Sequence, residues 1–313
     1  MRPNAKPSRM ATPSFMTRSD QLAAVRPALD LFAPAKVNLY LEVTGIRDDG
    51  YHLIDSLVVF ANVGDRLSLA AADTFSFSVS GPFASMAPGD DTNLAVRALR
   101  LMERALGRSF PVRMRLEKCL PAGAGLGGGS ADAAAVLKGI RALYDLPMTD
   151  GELATLGLQL GADLPVCLAG TPVRASGVGE VITPFAGCSP LATVLVFPGA
   201  GLDTPAVYRK YDEYHSNAEI APPRPMTSDM DFENLANRRN DLEAAAISLQ
   251  PAVGEVLDGL RASPGCRLAR MSGSGSACFG IFDTAAEASA AAEHLGQAQP
   301  GWWVRPVELG GDA

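Results

Sequence analysis

The feature that most restricts this chain is the run Leu120-Pro121-Ala122-Gly123-Ala124-Gly125-Leu126-Gly127-Gly128-Gly129-Ser130, where five of eleven positions are glycine. Ahead of it, Pro111 to Leu120 alternates, with Val112, Met114 and Leu116 on one side and Arg113, Arg115 and Glu117 on the other, which predicts a strand. Behind it, Ala133, Val136, Leu137, Ile140 and Leu143 recur at helical spacing up to Pro147, with Ser130 in position to cap that helix. Glycines between a strand and a helix let backbone N–H groups close on an anion, and the helix N-terminus adds the positive end of its dipole. A tight turn needs only one or two glycines, so five point to phosphate binding.

Two known loop designs can be compared with it. A Walker A loop needs Gly-Lys-Ser/Thr, and Gly128 is followed by Gly129, which excludes it. Gly123-x-Gly125-x-x-Gly128 does fit the dinucleotide spacing. That fold places a second parallel strand with an acidic end after the helix, and residues 145–151, Asp-Leu-Pro-Met-Thr-Asp-Gly, cannot form it. A dinucleotide-binding oxidoreductase is therefore the second reading.

Charge decides how an anion could be met. The 27 basic and 34 acidic residues give a net charge of −7 and a pI near 5.1, so there is no broad positive field to attract nucleic acid or anionic lipid. Only five of the basic residues are lysines, Lys6, Lys36, Lys118, Lys138 and Lys210, which makes each position worth reading. Although 47% of residues are hydrophobic and the mean hydropathy is +0.10, no window approaches the roughly 18 consecutive apolar residues of a spanning helix. Cys119, Cys167, Cys188, Cys266 and Cys278 form no Cys-x-x-Cys pair or disulfide-scaffold spacing, which implies a reducing compartment. His52, His215 and His294 lie far apart, outside any zinc-hydrolase pattern.

A length of 313 residues suggests two domains. Residues 1–30 are basic, hydroxyl-rich and without an apolar core, and read as a disordered extension, with a targeting peptide as the alternative. From Lys36, strict alternation puts Val37, Leu39, Leu41 and Val43 on one face and Lys36, Asn38, Tyr40 and Glu42 on the other. A turn at Arg47 to Gly50 leads into a strand ending at Phe60, followed by strand-like pieces at Arg66 to Leu69 and Phe75 to Val79. Asp90-Asp91-Thr92-Asn93 offers caps to a helix carrying Leu94, Ala98, Leu99, Met102 and Leu106 and ended by Gly107. A short helix from Glu152 to Leu160 ends at Gly161 and delivers Asp163. The first domain is expected over 31–190 and the second over 191–313, with the passage between them marked by residues 191–198 and the Pro/Asp-rich stretch 216–232. The second domain is expected to hold a helix near Asn240 to Ser248, a strand ending at Met271, the turn Gly273-Ser274-Gly275, a strand from Cys278 to Phe282, a helix from Ala285 to Leu295 and a last strand near Trp303 to Glu308. This order is that of an α+β sandwich.

Pro-x-x-x-Gly-Leu-Gly-Gly-Gly-Ser at Pro121 to Ser130 resembles the phosphate loop of the galactokinase, homoserine kinase, mevalonate kinase and phosphomevalonate kinase (GHMP) superfamily. Four more segments extend the resemblance over residues 33–310: Ala35-Lys36-Val37-Asn38-Leu39, Gly50 to Leu57, Gly161-Ala162-Asp163-Leu164-Pro165 and Met271 to Gly275. The Gly50-Tyr51-His52 segment resembles the branch whose acceptor is a cytidine-diphosphate-linked methylerythritol; another GHMP small-molecule kinase is the alternative.

The resemblance implies an N-terminal α/β nucleotide-binding domain packed on a C-terminal ferredoxin-like α+β domain. It implies ATP as phosphoryl donor with Mg²⁺, a small-molecule acceptor, no nucleic acid or membrane partner, and a monomer or weak homodimer. The cysteine pattern and the arginine-over-lysine usage favour the bacterial cytoplasm, and the resemblance leaves a plastid as the second location. It makes Asp163 the catalytic base and Lys36 the catalytic lysine. It puts Asn93, Lys118 and Pro121, Ala122, Gly123, Ala124, Gly125, Leu126, Gly127, Gly128, Gly129, Ser130 and Ala131 around ATP, with Ser130 also toward the metal. Asn38, Tyr51, His52, Asp163 and Tyr208 fall to the acceptor, through stacking on cytosine and reading of its polar edge. The plainer readings are an N-cap for Asp163, a solvated Lys36, a turn aromatic at Tyr51 and a core one at Tyr208. Asp55 is expected to be a structural acceptor, Gly273 to Gly275 to pack beside the loop, and Cys119 and Cys278 to be small core residues.

Overall fold

The computed structural model describes residues 27–216 and 232–310. The extension expected over 1–30 lies outside them up to residue 26, and so does 217–231 of the Pro/Asp-rich passage. Strand β1 (Leu29–Ile46) begins inside the expected extension: Leu29 pairs with Leu69 and, with Leu31, packs on the apolar core.

β1 and β2 (His52–Ala71) form a long antiparallel hairpin, and its turn closes where the Gly50 N–H donates to the Arg47 carbonyl at 2.9 Å. The two pieces expected around 51–60 and 66–69 are one strand, with β1 pairing to it over His52–Phe60 and Gly64–Leu69 across a bulge. The other edge of β2 is divided. β4 (Val112–Glu117) pairs with its C-terminal half, and β5 (Val173–Gly177) pairs with its N-terminal half. β3 (Ser76–Ser80) runs parallel to β4, and β6 (Val181–Pro184) pairs with β5. β4 stops three residues short of the expected Leu120, because Asp65 accepts the Cys119 and Leu120 N–H groups at 2.6 and 2.8 Å and turns the chain out of the ladder.

Helices α1 (Leu94–Leu106), α2 (Gly128–Leu143), α3 (Asp150–Gly157) and α4 (Leu164–Ala169) build a core with this sheet that includes Leu69, Leu99, Met102, Met114, Val136 and Ile140. Asn93 caps α1 by accepting from the Ala95 N–H at 3.0 Å, as expected. The cap expected of Ser130 is not formed. Gly127, at φ +67°, is the N-cap of α2, which puts Ser130 inside the first turn. After α2 come α3 and α4, and the next strand, β5, is antiparallel to β2. The doubly wound sheet required by the dinucleotide reading is therefore missing among the described residues.

The second half supplies β7 (Leu191–Phe197), α5 (Thr204–His215), α6 (Phe232–Ala236), α7 (Glu243–Leu249), α8 (Ala252–Ala262), β8 (Cys266–Met271), β9 (Cys278–Phe282), α9 (Ala285–Ala298) and β10 (Trp303–Leu309). Its strands are antiparallel in the order β10-β7-β9-β8, the fourth-first-third-second arrangement of a ferredoxin-like β-α-β-β-α-β unit. The pair Leu309 and Ala61 joins the two sheets. Behind it lies a shared core: Val37, Leu39, Leu57 and Val59 from the first sheet meet Leu195, Phe197, Phe279 and Ile281 from the second. The cleft between the halves is therefore set by side chains wholly removed from water.

Candidate functional site

Three adjoining cavities follow one another, the second and third lined by residues of both halves. The first, about 390 Å³, is walled by the glycine loop from Pro121 to Ser130 together with Met86 to Pro88, Thr92 to Leu94, Lys118 and Asp132. The second, about 350 Å³, contains Lys36, Asn38, Asp163, Tyr208 and Gly273 and shares Gly127 and Ser130 with the first. The third, about 420 Å³, contains Tyr51, His52, Arg209 and Asp212 and shares Val178, Thr204 and Tyr208 with the second.

The loop is held from both sides. The Lys36 N–H donates to the Leu126 carbonyl and the Ala277 N–H to the Ala124 carbonyl, each at 2.9 Å. At Gly125 the backbone is left-handed, φ +78°, and a Cβ would sit 2.6 Å from the Gly275 oxygen. A Cβ on Gly127 would run into the Lys36 side chain. Glycine is thus required by the Gly273–Gly275 turn and by Lys36, and the turn does pack beside the loop as expected.

Lys36 is 7% exposed and is not the solvated strand lysine of the plainer reading. Its Nζ donates to Asn38 Oδ1 at 2.8 Å and lies 3.4 Å from Asp163 Oδ2. Asn38 is fixed in turn, donating from Nδ2 to Ser56 Oγ at 2.7 Å and from its N–H to Ser272 Oγ at 3.1 Å. Asp163 occupies the N-cap position of α4, yet its side chain makes no capping bond and its carboxylate is about half exposed, free to meet a ligand. Gly161 and Ala162 line the same cavity.

Lys118 lies in the wall of the first cavity with its ammonium already engaged. It donates to Asp65 Oδ2 and, at 2.7 Å, to Asp132 Oδ2, all three groups being buried. Burial opposes the Lys118 charge, and the two carboxylates outweigh it, so the ammonium titrates above the ordinary lysine range. Burial pushes the Asp132 carboxyl up despite Lys118, and its Oδ1 has no hydrogen-bond partner. The triad ties β2, the exit of β4 and the N-terminal part of α2 together. Asn93 also uses both ends of its amide internally, its Nδ2 donating to the Pro88 carbonyl at 2.8 Å.

At the third cavity Tyr51 stands on the hairpin turn, 63% exposed, with the Arg47 guanidinium 5.9 Å above its ring. His52 Nε2 lies 2.6 Å from Asp212 Oδ1, and its ring centre is 4.7 Å from that of Tyr208 and 5.8 Å from that of Tyr211. Tyr208 packs on the core that α5, α7, α8 and α9 build against the second sheet and is the wall between two cavities, so it is both a core and a cleft aromatic. Asp55 is structural as expected, taking Arg174 Nε and Nη2 at 2.7 and 2.9 Å and the Tyr40 hydroxyl at 3.2 Å. Cys278 is buried, but Cys119 is only half-buried, because the chain leaves the sheet there.

Sequence reasoning missed Asp65, Asp132, Asp212, Ser56 and Ser272. Asp132 carried a signal, as a lone charge inside an alanine-rich helical stripe. Asp65 and Asp212 carried none, since their partners lie 53 and 160 residues away.

Residues 93–171 match the family described as GHMP kinases N terminal domain, and residues 227–300 match GHMP kinases C terminal. A 4-diphosphocytidyl-2-C-methyl-D-erythritol kinase of Paramagnetospirillum magneticum is 50% identical over 88% of this chain and 97% of its own. A protein of the same name from Mesorhizobium japonicum is 45% identical over 87% and 92%. Among solved structures, a 4-(cytidine 5'-diphospho)-2C-methyl-D-erythritol kinase superposes with a TM-score of 0.74 at 38% identity, covering 90% of this chain and all of the other. Homoserine kinase from Cytophaga hutchinsonii superposes at 0.66 with 17% identity over 95% and 98%, a likeness of fold.

Proposed function

This chain belongs to the 4-diphosphocytidyl-2-C-methyl-D-erythritol kinases, a branch of the GHMP kinases, and we propose how its three linked cavities carry out ATP-dependent phosphorylation of that substrate. ATP lies in the first cavity with its phosphates against the loop N–H groups from Gly123 to Ala131 and the N-terminus of α2. Asn93 and Lys118 shape that cavity from behind. The cytidine end of the acceptor lies in the third cavity against Tyr51, His52 and Tyr208, and the methylerythritol crosses the second.

The observation that carries this reading is the place of the Lys36–Asp163 pair. It stands in the middle cavity, beside the residues shared with the phosphate loop. Phosphoryl transfer is mostly positioning and charge stabilisation, and this pair supplies both. Asp163 takes the proton from the 2-hydroxyl of the acceptor as its oxygen attacks the terminal phosphorus. The bond to the bridging oxygen breaks and ADP departs without a covalent enzyme intermediate. Lys36, aimed by Asn38 and 3.4 Å from the Asp163 carboxylate, steadies the negative charge on the transferring group. A lysine suits this as a compact point charge.

Mg²⁺, when bound, neutralises charge on the β- and γ-phosphates. No group of three or more His, Cys, Asp or Glu side chains is gathered as a metal cage among the described residues. The Ser130 hydroxyl, in the wall of both cavities, would help hold an ion carried by the nucleotide. A division into 31–190 and 191–313 is supported by the change of sheet between Pro184 and Leu191. A bacterial cytoplasmic location is in line with the bacterial relatives, and a monomer or weak homodimer is part of the proposal; no described helix is long and apolar enough to cross a membrane.

The test is ADP release with the cytidylyl substrate set against homoserine, mevalonate and galactose. Turnover confined to the cytidylyl compound supports the reading; a preference for any other acceptor removes it.

A further inference from the structure

The third cavity contains a contact that the reaction itself does not require. His52 Nε2 and Asp212 Oδ1 are 2.6 Å apart. A carboxylate only accepts, so the imidazole must carry its proton on Nε2, and in the neutral ring Nδ1 is left as a bare acceptor. The ring cannot turn freely, since Tyr208 faces it at 4.7 Å and Tyr211 meets it edge-on at 5.8 Å. The His52 side chain is 9% exposed and the Asp212 side chain 47%, which makes Asp212 the outer latch on an inner, fixed ring. Both residues line the same cavity as Tyr51.

We propose that Asp212 is a positioning residue that sets base specificity. By locking His52 with its proton on Nε2, it turns an acceptor nitrogen toward the ligand and selects a pyrimidine that presents an amino group. Cytosine carries N–H donors at position 4, where uracil carries a carbonyl oxygen. An acceptor nitrogen pairs with the first and repels the second. This inference rests on reading the third cavity as the cytidine site.

The test compares the cytidylyl substrate with its uridylyl analogue in wild type, Asp212→Ala, Asp212→Asn and Asp212→Glu, with His52 ring ¹⁵N shifts recorded for each. Wild type is expected to prefer the cytidylyl compound and to show a single tautomer protonated at Nε2. In Asp212→Ala and Asp212→Asn both tautomers become accessible. The preference should fall by about tenfold or more, chiefly through KM for the cytidylyl substrate, with KM for ATP unchanged. Asp212→Glu should restore most of it. Full preference in Asp212→Ala overturns the role of Asp212 and leaves the cytidine site standing. A wild type indifferent to the base overturns both together.

Discussion

Tyr51 tests the account at the scale of a single residue. It sits on a hairpin turn with its ring largely exposed, and it lines the third cavity. Stacking one base on an aromatic ring is worth about 1–3 kcal/mol. Tyr51→Ala should therefore raise KM for the cytidylyl substrate roughly tenfold, while KM for ATP and the melting temperature stay near wild type; equal changes in both KM values would reject the stacking role. The Lys36 to Asn38 to Ser56 chain shows why such residues can be nominated from the sequence. The two-residue period of a strand by itself puts Lys36 and Asn38 on one face of β1, and there they meet. Asp65 cannot be found that way, because its meaning lies in two N–H groups and an ammonium more than fifty residues downstream.

At the scale of the element, the strand, loop and helix around Gly123 to Ser130 were legible because glycine density and helical spacing are local properties. The helix start was misread for a local reason too. Serine is the commoner cap, but the left-handed backbone at Gly127 let α2 begin three residues sooner, and the N–H groups at the head of the helix moved with it. Gly125 is where this element is least tolerant. An alanine there would place a Cβ 2.6 Å from the Gly275 oxygen on a left-handed backbone. Gly125→Ala should raise KM for ATP by at least an order of magnitude, as read by nucleotide titration, and a near-normal value would mean the loop does not hold the phosphates. Strands β5 and β6 escaped sequence reading because they are short, and β6 is largely exposed.

Across the whole molecule, the two sheets share one core, so the halves should not unfold separately. Phe279 is fully buried between them. Phe279→Ala is expected to cost about 3–5 kcal/mol in chemical denaturation, with a single transition kept. A wild-type protein that melts in two steps would show the halves to be independent and the cleft to be set by a hinge. The acidic chain is no obstacle to a nucleotide enzyme. Of the five lysines, Lys36 stands beside Asp163 and Lys118 is engaged by two carboxylates, so the proposed mode of binding leaves most phosphate contact to uncharged N–H groups.

The central claim is that Asp163, steadied by Lys36, takes the proton from the attacking hydroxyl. It is tested most directly by single-turnover phosphorylation in Asp163→Asn, with ATP binding measured by calorimetry on the same sample. The account predicts a rate lowered by about 10²–10⁴-fold with ATP affinity within a factor of two or three. A variant that turns over near the wild-type rate while binding ATP normally would contradict it.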